Sequence, residues 1–198
     1  HIHGVKLLVD EAHGAHFPFS DCFPVEALNC GADAAVLSLH KTLPSLTQTA
    51  LLITNDSELS EILAENLAVF ETSSPSYILM SSIEKCLDLC ENSKDKFNEY
   101  CCNLKTVREK LKNLKYQKIY DKSDTDFDYD IGKIVISTAN ANISGTKLAE
   151  ILRNNYQIET EMAYSDYVIA MTSVCDTEKD FDMLSDALIS INSELSKG

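Results

Sequence analysis

The sequence has no apolar run approaching the roughly 20 residues that a membrane-spanning helix needs. It has only two arginines, Arg108 and Arg153, in 198 residues. With 17 basic against 31 acidic side chains and a net charge of −14, it lacks the basic stripes that nucleic acid rewards. The acidic surplus can steer a cationic substrate, although solubility is the plainer reading. No two cysteines stand in the C-x2-C spacing of a zinc site. The seven present form no disulfide framework and read as free thiols of a reducing cytosol. Low-complexity tracts and internal repeats are also missing, and 44% hydrophobic residues is ample for a core, so global disorder is excluded. The first residues lack a basic stretch followed by an apolar one, so they do not read as a signal peptide.

What is present is concentrated in residues 7–49. Two apolar runs each end in charged groups that a core would not choose. Val5–Val9 ends in Asp10-Glu11-Ala12-His13-Gly14, and Ala34–Leu39 ends in His40-Lys41-Thr42. Short β-rich apolar runs read as buried parallel strands. In open α/β sheets ligands sit outside the carboxyl ends of the strands, so Asp10 and Lys41 are expected to face one crevice. An acid and an amine so placed suit pyridoxal phosphate chemistry. The lysine forms a Schiff base with the aldehyde, and the carboxylate keeps the pyridine nitrogen protonated. Each residue has a plainer reading too. Asp10 can cap a turn, Lys41 can be a snorkelling surface lysine, and Ala12 and Gly14 can simply make a tight turn.

The rest of the chain follows the usual signals. Pro24–Cys30 predicts one or two helical turns closed by Gly31. Ala50–Thr54 predicts another buried strand. Asp56 or Ser57 caps a helix to about Val69, with Leu59, Ile62, Leu63, Leu67 and Phe70 as its buried stripe. Ser74, followed by Pro75, is the expected N-cap of a long helix reaching Leu114 and broken near Asn92-Ser93. Residues 115–198 read as a smaller α+β unit, with strands at Tyr116–Tyr120, Lys133–Thr138, Ile158–Met162 and Tyr167–Met171. Helices there are capped by Ser144 and by Asp176 or Thr177. The D-x-D-x-D spacing across Asp121–Asp130 lacks the Gly and Glu of a calcium loop and reads as a solvated loop, so no metal site is expected.

LLVDEAHGAHFPF, GADAAVLSLHKTLPSLTQTALL and SSPSYILMSSIE together resemble the Orn/Lys/Arg decarboxylase family, which are pyridoxal-phosphate enzymes of fold type I. The resemblance implies an α/β fold. It would be the C-terminal half of a cofactor domain with a mostly parallel sheet (residues 1–71), a connecting long helix (72–114) and a small α+β domain (115–198). It further implies pyridoxal 5'-phosphate as cofactor and a basic amino acid (arginine, lysine or ornithine) decarboxylated to a di- or polyamine precursor. The enzyme would be a cytoplasmic homo-oligomer with shared active sites, binding neither nucleic acid nor membrane. Carried over residue by residue, Lys41 would hold the cofactor and Asp10 its pyridine nitrogen. Ala12 would pack under the ring, and His13 would lie beside it and serve in catalysis with Lys41 and Asp10. Ser38 and His40 would contact the phosphate. Glu11 and His16 would stand behind them, and Thr47 and Gln48 would reach a neighbouring subunit's site. Ser76 and Tyr77 would lie towards the active-site side.

Family members are much longer, and His1-Ile2-His3-Gly4 reads as the middle of a protein. The expectation is therefore a C-terminal portion that lacks the phosphate loop, is inactive alone and leaves a sheet edge to be covered. Three other readings compete. VDEAH also occurs in DEAH-type helicases, but that reading needs the P-loop G-x-x-x-x-G-K-[ST], and none is present. A fold type I aminotransferase would place an arginine in the small domain for the substrate carboxylate, and only Arg153, in mid-helix, is available. A non-catalytic oligomerisation fragment is the third.

Overall fold

The structure is a computed structural model that describes residues 4–197. The reading of His1-Ile2-His3 falls outside the described residues. The chain divides into two compact units, His1–Asp95 and Lys96–Gly198.

The first unit holds a three-stranded sheet of β1 (Leu8–Asp10), β2 (Ala34–Ser38) and β3 (Ala50–Thr54), in that order. β1 and β2 are parallel, with Leu8 opposite Ala34 and Asp10 opposite Val36. β3 runs antiparallel to β2, with Ala34 opposite Thr54 and Ser38 opposite Ala50. So the sheet described has one parallel and one antiparallel ladder, not the mostly parallel set expected. β1 also departs from the expected buried strand at Val5–Val9. It is an edge strand, and Val5, Leu7 and Leu8 are 69%, 52% and 59% exposed. The apolar composition suits an interior strand, yet among the described residues only β2 pairs with β1.

Asp33 fixes the entry to the sheet. Leu7 N donates to its Oδ2 at 2.7 Å, and Asp33 N donates back to Leu7 O at 2.8 Å. Lys6 Nζ bridges Asp33 (3.3 Å) and Asp56 (2.6 Å), which raises the lysine pKa and lowers that of Asp56. The helix expected at Pro24–Cys30 is only a hydrogen-bonded turn. Cys30 N donates to Glu26 O, and Gly31 closes the turn at φ +95°, a conformation that favours glycine.

Helix α1 (Leu39–Thr42) was not anticipated. α2 (Ser57–Phe70) starts at the expected cap, where Asp56 Oδ1 accepts from Leu59 N at 3.1 Å. Its apolar stripe, expected in the core, buries no residue, and Phe70 is 85% exposed. α3 (Tyr77–Asn92) is capped by Ser76 rather than Ser74: Ser76 Oγ accepts from Leu79 N at 3.4 Å. Ser74 N instead donates to Thr72 Oγ1 at 3.1 Å, and the residue before a proline disfavours helical backbone. The helix breaks at Ser93, as its sequence suggests, and α4 (Lys94–Leu111) follows.

The second unit has an antiparallel sheet, in the order β4-β5-β7-β6. Its strands are β4 (Lys118–Ile119), β5 (Lys133–Ser137), β6 (Met162–Ala163) and β7 (Tyr167–Met171). Strict alternation buries Ile134 and Ile136 on β5 and Val168 and Ala170 on β7, so one sheet face enters the core. Helices α5 (Gly145–Tyr156) and α6 (Glu178–Glu194) supply Leu148, Leu152, Phe181, Leu184, Leu188 and Ile191 to that core. Their caps are Ser144 and Thr177, the latter in a capping box with Asp180. Tyr100 on α4 is buried with its hydroxyl 2.9 Å from Thr172 Oγ1. The acidic stretch from Asp121 is a short turn at Lys122–Asp124 with its own capping box. Lys118 pairs with Asp124 there, and Lys122 with Asp128. The free-thiol expectation holds for Cys30, Cys86, Cys90, Cys102 and Cys175 and fails for Cys22 and Cys101, which are disulfide-bonded.

Candidate functional site

The parallel pairing of β1 with β2 places the ends of both strands together. Beyond the strands the two chains stay zipped: Glu11 N donates to Val36 O at 2.9 Å, and Ser38 N donates to Ala12 O at 3.3 Å. The turn carrying Asp10, Ala12 and His13 is thereby held against the end of β2. Asp10 Oδ1 accepts from Ala12 N at 3.0 Å, so the carboxylate does serve its own turn while remaining exposed.

Lys41 does not end a strand, as its sequence context suggested. The strand stops at Ser38, and the chain turns through α1, which carries His40 and Lys41. From there Lys41 reaches back to the β1 turn, and its Nζ lies 3.2 Å from His13 Nε2. Both side chains are half-buried. Residues 28 positions apart are thus in contact.

His40 points elsewhere. Its Nδ1 is 3.1 Å from Thr49 O, and since a carbonyl can only accept, Nδ1 carries the proton of that bond. In the neutral ring the lone pair then falls on Nε2. Ser38 precedes α1, but its hydroxyl makes no capping bond.

Glu11 is drawn inward. Its Oε1 accepts from Ala27 N at 3.0 Å, and its Oε2 is buried without a hydrogen-bond partner. Burial pushes its pKa above the usual carboxylate range; the Ala27 N–H opposes this and Glu26 adds to it. His16 is 2% exposed and stands edge-on to Phe17 and Phe23, with centroids at 4.9 and 4.4 Å, so it packs in an aromatic cluster. Gly14 is needed for space: a Cβ there would come within 2.6 Å of the Glu11 side chain and 2.8 Å of the Phe17 ring.

Thr47 and Gln48 are exposed. Two contributors were not singled out from the sequence. Thr49, 2% exposed, receives both Leu39 N and His40 Nδ1 on its carbonyl, and Ala27 anchors Glu11. Both act through backbone groups, which leave no mark on residue type. Arg153, weighed as a carboxylate clamp, is paired with Glu159 on the surface. Among the described residues no group of three or more His, Cys, Asp or Glu is placed to hold a metal ion. No helix is long and apolar enough to cross a membrane among them.

Residues 1–127 match the family described as Orn/Lys/Arg decarboxylase, major domain. The arginine decarboxylase of Halalkalibacterium halodurans is 31% identical over 194 residues, which is 95% of this chain and 40% of that protein. The chain therefore spans about two fifths of the length of the curated relatives it matches. The Francisella novicida lysine decarboxylase LdcF shares the fold with a TM-score of 0.77 at 15% identity, over 95% of this chain and 32% of that one. A structure of SPT with its PLP internal aldimine has a TM-score of 0.71 at 12% identity, over 98% of this chain and 48% of that one. The fold is thus that of fold type I pyridoxal-phosphate enzymes, in part. With the family matched over most of its length, the chain belongs to the Orn/Lys/Arg decarboxylase family.

Proposed function

We propose that this chain carries the lysine-bearing side of a pyridoxal-phosphate site in a cytoplasmic enzyme that decarboxylates a basic amino acid to a di- or polyamine precursor. The observation that carries the reading is the contact between Lys41 Nζ and His13 Nε2, made across the ends of two parallel strands.

The donor set suits the cofactor. Lys41 supplies an amine for the aldehyde carbon, and Asp10 a carboxylate for the pyridine N–H. Ala12 supplies a small face for the ring, and Ser38 with His40 a hydroxyl and an imidazole for phosphate oxygens. The Ser38 hydroxyl is not used in capping α1, which leaves it available to a ligand. When bound, pyridoxal phosphate supplies an electron sink for the pair left as CO2 departs. His13, at 3.2 Å from Nζ, is in reach to take a proton from Lys41 or return one to it. Its neighbour Glu11 ties the turn to Ala27 and so holds His13 in register.

The rest of the relatives' length, and a second copy of the protein, would complete the site and set which basic amino acid enters. On that basis this chain alone is not a decarboxylase. The test is an absorption spectrum with added pyridoxal phosphate, followed by borohydride trapping and peptide mapping. A visible band with label on Lys41 supports the reading. Label spread over surface lysines, or no band, would sink it for this chain.

A further inference from the structure

The second unit contains a cavity of about 840 Å³ with a charge opposite to that of the protein. It lies between the C-terminal end of α4 and the segment running through β4. Lys105, Arg108, Lys112, Lys115, Lys118 and Lys122 line it. Only two carboxylates, Glu109 and Asp121, share the lining, whereas the whole chain is at −14. Lys105, Arg108 and Lys112 stand at i, i+3 and i+7, which puts them on one face of the helix and its end. A volume of this size falls within the range of small-molecule sites, roughly 300–1,000 Å³.

The cations differ in what they have left to offer. Arg108 is committed: Nη1 donates to Tyr120 O at 2.8 Å, and Nη2 donates to Ile131 O at 2.8 Å and Lys133 O at 3.3 Å. Its planar fork is spent on the fold, so no bidentate clamp for a carboxylate remains. Lys118 and Lys122 already pair with Asp124 and Asp128. Lys112 has a loose contact with Glu109 at 3.5 Å, and Lys115 Nζ sits 4.8 Å over the Tyr116 ring. The donors open to a ligand are therefore ammonium point charges, chiefly Lys105, Lys112 and Lys115. Such groups suit the several equivalent oxygens of a phosphate better than the two of a carboxylate.

We propose that this cavity binds a phosphorylated small anion carrying at least two negative charges. It lies in the second unit and does not depend on the pyridoxal-phosphate reading. Calorimetric titration of the full chain with sodium tripolyphosphate, in low-salt buffer, tests it. Saturable binding with one site per chain is expected. The Lys105→Ala/Lys112→Ala/Lys115→Ala variant should weaken it by about tenfold or more, since each lost exposed contact is worth a fraction of a decade to a decade. Lys147→Ala, an exposed lysine outside the cavity, should leave it unchanged. Parallel titrations with adenosine 5'-triphosphate and with citrate identify the chemistry. Either phosphate ligand binding more tightly than citrate supports the proposal, and the better of the two tells a nucleotide from bare phosphate. Absence of saturable heat with both, equal affinity for citrate, or an unchanged triple variant would overturn it.

Discussion

Lys41 and His13 meet at 3.2 Å although they belong to different turns, one after β2 and one after β1. The contact depends on the parallel ladder, which sets Asp10 opposite Val36 and keeps the two chain segments aligned past the strand ends. A slip of one residue would turn every side chain of β1 to the other face and break it.

Substituting the two charged residues should separate their roles. Lys41→Ala is expected to abolish the visible band with pyridoxal phosphate and the borohydride-trapped label at that position. Asp10→Asn should retain the label but weaken cofactor affinity by about tenfold or more, the worth of a hydrogen bond to a charged group. Equal trapping in Lys41→Ala and the unaltered chain would show that the amine is only a surface lysine.

Glu11 makes stability depend on pH in a definite direction. Burial raises its pKa in the folded chain above its unfolded value. Folding therefore favours the protonated form, so this contribution is complete below the ordinary glutamate pKa and is lost as pH rises through the folded value. Glu11→Gln keeps an acceptor for Ala27 N without the titration. The melting temperature of this variant relative to the unaltered chain should therefore climb as pH rises above the ordinary glutamate range. A difference that stays constant as pH rises would count against a buried titrating carboxylate.

Gly145 opens α5 where a Cβ would run into the carbonyl oxygens of Tyr164 and Tyr167. Backbone cannot yield as a flexible side chain can. Gly145→Ala should destabilise the chain by about 1–3 kcal/mol, the usual range for overpacking. Tyr100→Phe, which removes the hydroxyl facing Thr172, should cost about 0.5–1.5 kcal/mol. Urea denaturation monitored by circular dichroism would read both.

Particular residues show how far the sequence could be read. Ala34–Ser38 was legible as a strand because its run is apolar and bounded by a glycine-containing turn. The caps Asp56, Ser144 and Thr177 were legible because a hydroxyl or carboxylate before an amphipathic run has a local job. Asp10 lies at the end of β1 as its sequence suggests, whereas Lys41 sits in α1 beyond β2, a helix the sequence hides because four residues leave no period to detect. The direction of β3 and the exposure of β1 were hidden for another reason. Strand composition reports burial in the structure for which the segment is suited, whereas pairing depends on distant segments. The bond from His40 to Thr49 O was invisible because its acceptor is backbone.

The exposed β1 gives the last prediction. Val5, Leu7 and Leu8 are all more than half exposed, and β1 pairs with β2 alone among the described residues. An edge strand flanked by exposed hydrophobic side chains is a template for another chain. The chain as given should therefore self-associate, and its sedimentation coefficient should rise with concentration. Leu8→Lys places a charge on the edge, the device by which sheets are kept apart. It is expected to weaken association by about tenfold or more, since burying a leucine is worth about 1.5–3 kcal/mol. If Leu8→Lys associates as strongly as the unaltered chain, the contact lies elsewhere, and the exposed stripe of α2 ending at Phe70 is the next place to put a charge. A monomer at every concentration would mean that three strand residues are too short an edge to recruit a partner.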